Sequence, residues 1–125
     1  MQRVVRALTR ILGVFFTLQG VLWILAPERA AAGLGMPLLD GLARSTQIGD
    51  LGAFFLTGGG TLLVGSQPGR SRLLLVPAAM VGGAAVLRTL ATVLHGADFA
   101  ATFIAVEIAM CAVVLVAARA LADRR

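Results

Sequence analysis

Four long apolar stretches, separated by shorter segments that carry proline, glycine or charge, account for most of the chain. They cover about residues 4–26, 47–65, 73–94 and 99–118. Each is close to the ~20 residues that an α-helix needs to cross a ~30 Å hydrocarbon layer. None alternates apolar and polar residues, and only helices or closed barrels satisfy their backbone in lipid. The pattern predicts an all-α integral membrane four-helix bundle, a single domain over residues 1–125.

The amino-acid composition is typical of a membrane protein. Hydrophobic residues make up 58% of the 125 positions and charged residues 14%, with a mean hydropathy of +0.92. Soluble domains carry about 25% charged residues. The net charge of +5 comes entirely from arginine, placed mostly at the ends of apolar stretches, so no nucleic-acid partner is predicted. One cysteine and one histidine predict no metal site, and no cofactor is expected.

The arginines also predict an orientation. Eight of the eleven lie in the N-terminal segment, the second connection and the C-terminal tail, which share one side if there are four crossings. Because arginine is enriched in cytoplasmic segments, both termini are predicted to be cytoplasmic. A different interpretation of the first stretch is a cleaved signal peptide, since a basic start precedes an apolar run and "AAAG".

The connection over residues 27–46 is long and half apolar. Its leucines and methionine predict a short amphipathic segment or lid along the outer membrane surface. An irregular loop that covers the ends of the helices is the equal alternative.

Arg88 interrupts the third apolar stretch, where a lone guanidinium costs roughly 2.5–3.5 kcal/mol on insertion scales. At 1.5 Å per residue it lies about 9 Å below the outer boundary, with Glu107 about 12 Å and Gln19 about 10 Å deep. Asp50 falls about 5 Å deep and Thr57 about 15 Å. We expect Arg88 to pair with Glu107, forming a buried salt bridge, and Asp50 to be a second or alternative carboxylate.

Helical spacing surrounds these groups with aromatic and polar neighbours. Asp50, Arg88 and Glu107 are the candidate catalytic residues, and the candidate substrate-binding residues are Gln19, Trp23, Phe54, Thr57, Thr92, His95 and Phe103. Plainer interpretations stay open for several of them. Trp23 is also typical of an interfacial anchor, Asp50 of a helix cap and His95 of a turn. The Arg88–Glu107 pair itself could serve only to fix helix register.

Three stretches, "QIGDLGAFFLTGGG" (47–60), "LRTLATVLHG" (87–96) and the glutamate in "FIAVEIAM" (103–110), resemble the small DoxX-like four-helix bacterial membrane proteins. The resemblance covers most of the chain and implies a compact bundle in the bacterial inner (plasma) membrane. It places the family's polar positions at Asp50, Arg88 and Glu107, and it implies no particular reaction.

Two functions follow from these expectations. The first is a membrane protein that binds a small hydrophobic molecule at the polar site. Conversion of that molecule, by an acid/base isomerase or a hydrolase that opens an epoxide, is a further option within it. The second is a non-enzymatic scaffold or accessory subunit of a larger membrane complex, in contact with another membrane protein or a second copy. A proton-coupled transporter is disfavoured because no inverted repeat is evident.

Overall fold

The computed structural model describes residues 1–122, which are helical apart from short connections. The elements are α1 (Gln2–Leu25), α2 (Pro27–Gly33), α3 (Gly41–Gly65), a 3₁₀ turn (Ser71–Leu74), α4 (Leu75–His95) and α5 (Ala101–Ala120). Over the described range α1, α3, α4 with its 3₁₀ turn, and α5 are each long and apolar enough to span a membrane. The all-α class is confirmed, with four candidate spans of a multi-pass membrane protein.

The connection between the first two spans is more helical than predicted. α3 begins at Gly41 rather than near residue 47, and α2 fills half of the segment 27–40. Pro27 occupies the start of α2, where its fixed φ and missing N–H suit a first helical position. Glu28 lies in the first turn, where a carboxylate interacts favourably with the helix dipole. Residues 34–40 alone remain as a connection between α2 and α3.

α1 and α3 run antiparallel at close range, with glycines at the points of approach. A Cβ added to Gly20 would lie 3.0 Å from the Leu56 nitrogen. A Cβ added to Gly59 would lie 2.6 Å from the Thr17 nitrogen and 2.9 Å from the Gly13 oxygen. In lipid the hydrophobic effect provides little driving force for helix association, so van der Waals contact between closely packed backbones supplies much of the attraction.

α4 and α5 form a second antiparallel pair. A Cβ on Gly82 would lie 3.1 Å from the Cys111 sulfur, and Arg88 contacts Glu107 further along. The two pairs meet at one end, where the Gln2 side-chain amide donates to the Ala120 carbonyl at 3.0 Å. We call this the terminal end, because the start of α1 and the end of α5 lie there. The opposite end is called the α2 end.

Trp23 forms the centre of the packing at the α2 end. Its side chain is fully buried, at 0% exposure, against Ala30 and Ala31 of α2. The alanines allow α2 to lie directly over the last turn of α1. Trp23 is therefore a core residue beneath α2, and the predicted interfacial anchor is not observed.

Gln47 fixes the connection between α2 and α3. It is buried, its side-chain oxygen accepts from the Leu39 nitrogen at 2.9 Å, and its amide donates to the Pro37 carbonyl at 3.0 Å. Backbone groups of a covered loop need such partners. Residues 34–40 are thus held to α3 by a side chain whose place at the start of an apolar stretch does not indicate this role.

The outer surface of the long helices carries large apolar side chains. Leu18, Leu87 and Val116 are each at least 59% exposed. In the most apolar 18-residue stretch of each span, only 17–28% of the residues are buried inside the protein. Exposed apolar area costs roughly 25 cal/mol per Å² in water. Contact with lipid chains removes that cost, which accounts for a surface of this kind.

Gly59 and Gly60 provide a matched test of the α1–α3 contact. We expect Gly59→Ala to destabilise the protein by about 1–3 kcal/mol, the usual range for overpacking, because the new Cβ meets the α1 backbone. Gly60→Ala serves as the control, since no atom lies within 4 Å of a Cβ there. Thermal unfolding in detergent micelles measures both, and equal stability of the two variants would contradict the proposed contact.

Candidate functional site

A cavity of about 310 Å³ lies between the α1–α3 pair and the α4–α5 pair. Every helix contributes to its wall, and the end of α2 borders it at the α2 end. The lining residues are Phe15, Phe16, Gln19, Gly33, Leu34, Leu51, Phe54, Phe55, Val81, Ala84, Arg88, Phe103, Val106, Glu107 and Met110. Its volume falls at the low end of the roughly 300–1,000 Å³ typical of ligand pockets.

Arg88 and Glu107 form the charged part of the cavity wall. The Arg88 Nε donates to Glu107 Oε1 at 2.9 Å, which joins α4 to α5. The pair that the sequence predicts therefore forms. It is not a fully buried salt bridge, however, because the Arg88 side chain is 32% exposed and that of Glu107 is 12% exposed. Seen from the cavity, Glu107 lies behind Arg88, and part of the arginine side chain remains accessible.

Aromatic rings form much of the remaining wall. Phe15, Phe16, Phe54 and Phe55 make a connected cluster across α1 and α3, with ring centroids 5.3–6.4 Å apart. Phe103 on α5 lies under the Arg88 guanidinium, whose carbon is 4.9 Å from the ring centroid. Such a cation–π contact adds about 0.5–2 kcal/mol, more where water is excluded. The phenyl ring also holds the guanidinium plane in place.

Gln19 is the remaining polar side chain in the wall. It is half-buried on α1, and its amide makes no hydrogen bond to any residue from 1 to 122. An amide supplies both a donor and an acceptor. The polar lining therefore combines one neutral group on α1 with one ion pair on α4 and α5.

The structure brings five predicted residues together around the cavity, namely Gln19, Phe54, Arg88, Phe103 and Glu107. Five others lie elsewhere, and the predicted site is corrected at those positions, which are Trp23, Asp50, Thr57, Thr92 and His95. Thr92 is half-buried and donates to the Arg88 carbonyl at 3.3 Å, within its own helix. His95 is exposed at the end of α4.

Asp50 is the largest departure from the prediction. It is exposed on α3, does not line the cavity and makes no ion pair within the described residues. Thr57, two turns along, is exposed as well. α3 turns its Leu51, Phe54 and Phe55 side inward because the contact with α1 sets its rotation. Asp50 is thereby not the second carboxylate of the Arg88 site.

Several wall residues have no signal in the sequence that separates them from lipid-facing positions. Phe55, Leu51, Val81 and Met110 line the cavity, yet they are ordinary apolar residues within apolar helices. Phe15 and Phe16 lie about one helical turn before Gln19, and that spacing is the sequence feature that connects them with the site. A clustering of phenylalanines on α1 and α3 is the one hint that the sequence offers for an aromatic wall.

The donor and acceptor set of the cavity limits its chemistry. The described residues contain no group of three or more histidine, cysteine, aspartate or glutamate side chains able to hold a metal ion. What the wall presents is a guanidinium, a carboxylate behind it, an amide and five phenyl rings. Such a wall can bind an apolar molecule and orient one polar group on it.

The chain matches no known protein-family model, no curated protein and no solved structure. The resemblance to the DoxX-like proteins stays a prediction.

The energetics of the ion pair can be tested with a double-mutant cycle. We expect Arg88→Met and Glu107→Met each to destabilise the protein, toward the lower end of the about 3–5 kcal/mol seen when one partner of a buried pair is removed. The double variant should lose less free energy of unfolding than the two single variants lose together, and the difference should be about 0.5–3 kcal/mol. Thermal unfolding in micelles is the measurement.

The exposed pair of Arg44 and Asp40, at 2.7 Å, is the matched control. Its side chains are 46% and 95% exposed, so water screens the interaction. Asp40→Asn removes the charge of this pair and keeps the hydrogen bond from the Arg44 Nε to the Leu39 carbonyl, so it should leave the unfolding temperature unchanged. Strict additivity of the Arg88 and Glu107 variants would show that the pair carries no coupling.

Proposed function

We propose that this protein is a membrane-embedded four-helix bundle that binds a small hydrophobic molecule in the cavity beside Arg88. The observation that carries the proposal is a guanidinium with open surface in an aromatic-walled cavity inside an otherwise apolar helical domain. Ionisable groups within membrane spans are expensive, and they usually mark functional sites. A ligand that enters from the lipid would find apolar walls and one place for a polar group.

Conversion of the bound molecule by acid/base chemistry is a further part of the proposal. Glu107 is the group that could transfer a proton, and Arg88 could stabilise negative charge that develops on the ligand, in an isomerisation or an epoxide opening. Asp50 takes no part in it, because it lies outside the cavity. Binding and conversion are separable, and binding is tested first.

The proposed orientation places the terminal end in the cytoplasm of a bacterial inner membrane. Six arginines of the described chain belong to this end, namely Arg3, Arg6, Arg10, Arg70, Arg72 and Arg119. The described part of the α2 end has Arg29 and Arg44, alongside Glu28, Asp40 and Asp98. This asymmetry is the one that the positive-inside rule associates with a cytoplasmic side. Arg124 and Arg125, which also entered the sequence prediction, lie outside the described residues.

Labelling of single cysteines tests the orientation. In a Cys111→Ala background, Gln67→Cys places a thiol in the connection between α3 and α4, and Ala97→Cys places one between α4 and α5. On intact spheroplasts a membrane-impermeant maleimide should label the second and spare the first. The reverse pattern would place the termini outside.

A second candidate function, that of an accessory subunit, is favoured by the outward face of α3. Asp50 and Thr57 are exposed there, and no atom lies within 4 Å of a Cβ added to Gly49 or Gly60. Among the described residues 43–65, Leu56 is the single large apolar side chain with exposure above about a third. A carboxylate and small residues suit contact with another transmembrane helix better than contact with lipid.

Native mass spectrometry of the protein purified in a mild detergent tests both functions at once. We expect a bound small molecule on the wild type and its loss in Ala84→Phe, because Ala84 lines the cavity one turn from Arg88. Ala79→Phe is the matched control on the exposed side of the same helix and should keep the adduct. Retention of the adduct in Ala84→Phe would place the ligand outside the cavity.

The same spectra test the accessory role. A protein partner or dimer that disappears in Asp50→Leu but persists in Asp98→Asn would support it, since Asp98 is an exposed residue of the α4–α5 connection. A monomer without any adduct, for every variant, would contradict both functions.

A further inference from the structure

The charged part of the cavity offers hydrogen-bond donors rather than acceptors. Glu107 Oε1 accepts from Arg88 Nε, and Glu107 Oε2 is fully enclosed. The two Nη groups of Arg88 make no hydrogen bond to any residue of the described chain, and the side chain keeps 32% of its surface. A ligand therefore meets the guanidinium first. A guanidinium donates and never accepts, so the ligand group beside it must be an acceptor.

Charge balance narrows the acceptor further. Arg88 and Glu107 sum to zero, and the cavity wall contains no other charged side chain among the described residues. An anionic ligand would leave one uncompensated negative charge in an apolar region, where desolvation is expensive. A neutral acceptor such as a carbonyl oxygen receives hydrogen bonds from the guanidinium without that cost. The cavity is suited to an uncharged polar group.

The apolar walls of the cavity indicate the shape of the rest of the ligand. Four phenyl rings line one side, and Phe103 lies on the other beneath the guanidinium. Aromatic walls pack well against flat, ring-containing molecules, with centroids about 4.5–7 Å apart. The volume of about 310 Å³ suits a compact body, or the ring end of a longer molecule whose chain extends into the lipid.

We infer that the ligand is an uncharged, ring-containing carbonyl compound whose carbonyl oxygen is held by the Nη groups of Arg88. The inference rests on the proposed binding function and specifies its substrate class. In the binding step, Glu107 is then a positioning residue. It holds Arg88 through Nε and compensates its charge, so that a neutral ligand is preferred over an anion.

Three probes with one skeleton separate these features. They are 2-acetylnaphthalene, which carries a neutral carbonyl, 2-naphthoate, which carries an anion, and 2-ethylnaphthalene, which has no acceptor. Equilibrium dialysis against the detergent-solubilised protein measures the Kd of each. Partition of a probe into micelles is the same for every variant, so ratios between variants report the cavity alone.

Comparing the wild type with the double variant Arg88→Met/Glu107→Met, we expect the Kd of the ketone to be about tenfold lower in the wild type, as for a charge-assisted hydrogen bond, and the Kd of the ethyl compound to be the same. Arg88→Met/Glu107→Met removes both charges together and avoids an orphaned one. In this double variant neither the ketone nor the ethyl compound meets a hydrogen-bond donor at position 88, so it is the reference for each probe. Glu107→Gln keeps a hydrogen-bond acceptor for Nε but leaves a net positive cavity, so it should favour the naphthoate over the ketone. A purely structural Glu107 would not change this preference.

The outcomes distinguish the two proposals. If the double variant binds the ketone as tightly as the wild type does, the carbonyl class is wrong while the binding function stands. A larger loss of naphthoate binding than of ketone binding on going from the wild type to the double variant would also overturn the class, in favour of an anion. If no probe binds the wild type, and the protein carries no adduct after purification, the binding function fails with it.

Discussion

A guanidinium on an apolar helix that crosses lipid needs a compensating group on a neighbouring helix, because the hydrocarbon offers it none. In this protein Arg88 on α4 finds that group in Glu107 on α5, at 2.9 Å. The contact fixes the register of the α4–α5 pair, and it places both charges on the wall that faces α1 and α3. Phe103, under the guanidinium, keeps the arginine directed there. The position of the candidate site follows from this one interaction.

The cavity exists because two kinds of helix contact differ in closeness. Glycines allow α1 and α3 to approach until a single added Cβ would strike the opposite backbone. The contact within the α1–α3 pair is made by glycines, whereas the side of this pair that faces α4 and α5 carries phenylalanines. Large rings cannot interdigitate as tightly as small residues, so space remains beside them. That space is lined by rings on one side and by the ion pair on the other.

The α2 end covers this space without filling it. α2 packs on Trp23, and Gln47 holds the connection from α2 to α3 through backbone groups of Pro37 and Leu39. Leu34, just after α2, is part of the cavity wall. The segment that follows the first span is thus a fixed cover, anchored by one buried amide. The sequence left an amphipathic surface segment and an irregular loop as alternatives, and the structure has a short helix followed by a connection whose Leu34, Met36 and Leu38 pack on the core.

Hydropathy alone determined that four helices are long and apolar enough to cross a membrane, since length and composition decide that property. The pairing of Arg88 with Glu107 was also predictable, because unpaired charge in lipid is costly and few partners exist at a similar depth. The rotation of each helix about its own axis could not be predicted from the sequence. In lipid both the inward and the outward faces are apolar, so periodicity does not mark the inside, and Asp50 and Thr57 on α3 were assigned to the wrong face. The tertiary structure decided the rotation of α3 through shape. The close contacts at Gly13, Gly20 and Gly59 set how α3 is rotated relative to α1, and thereby which phenylalanines line the cavity.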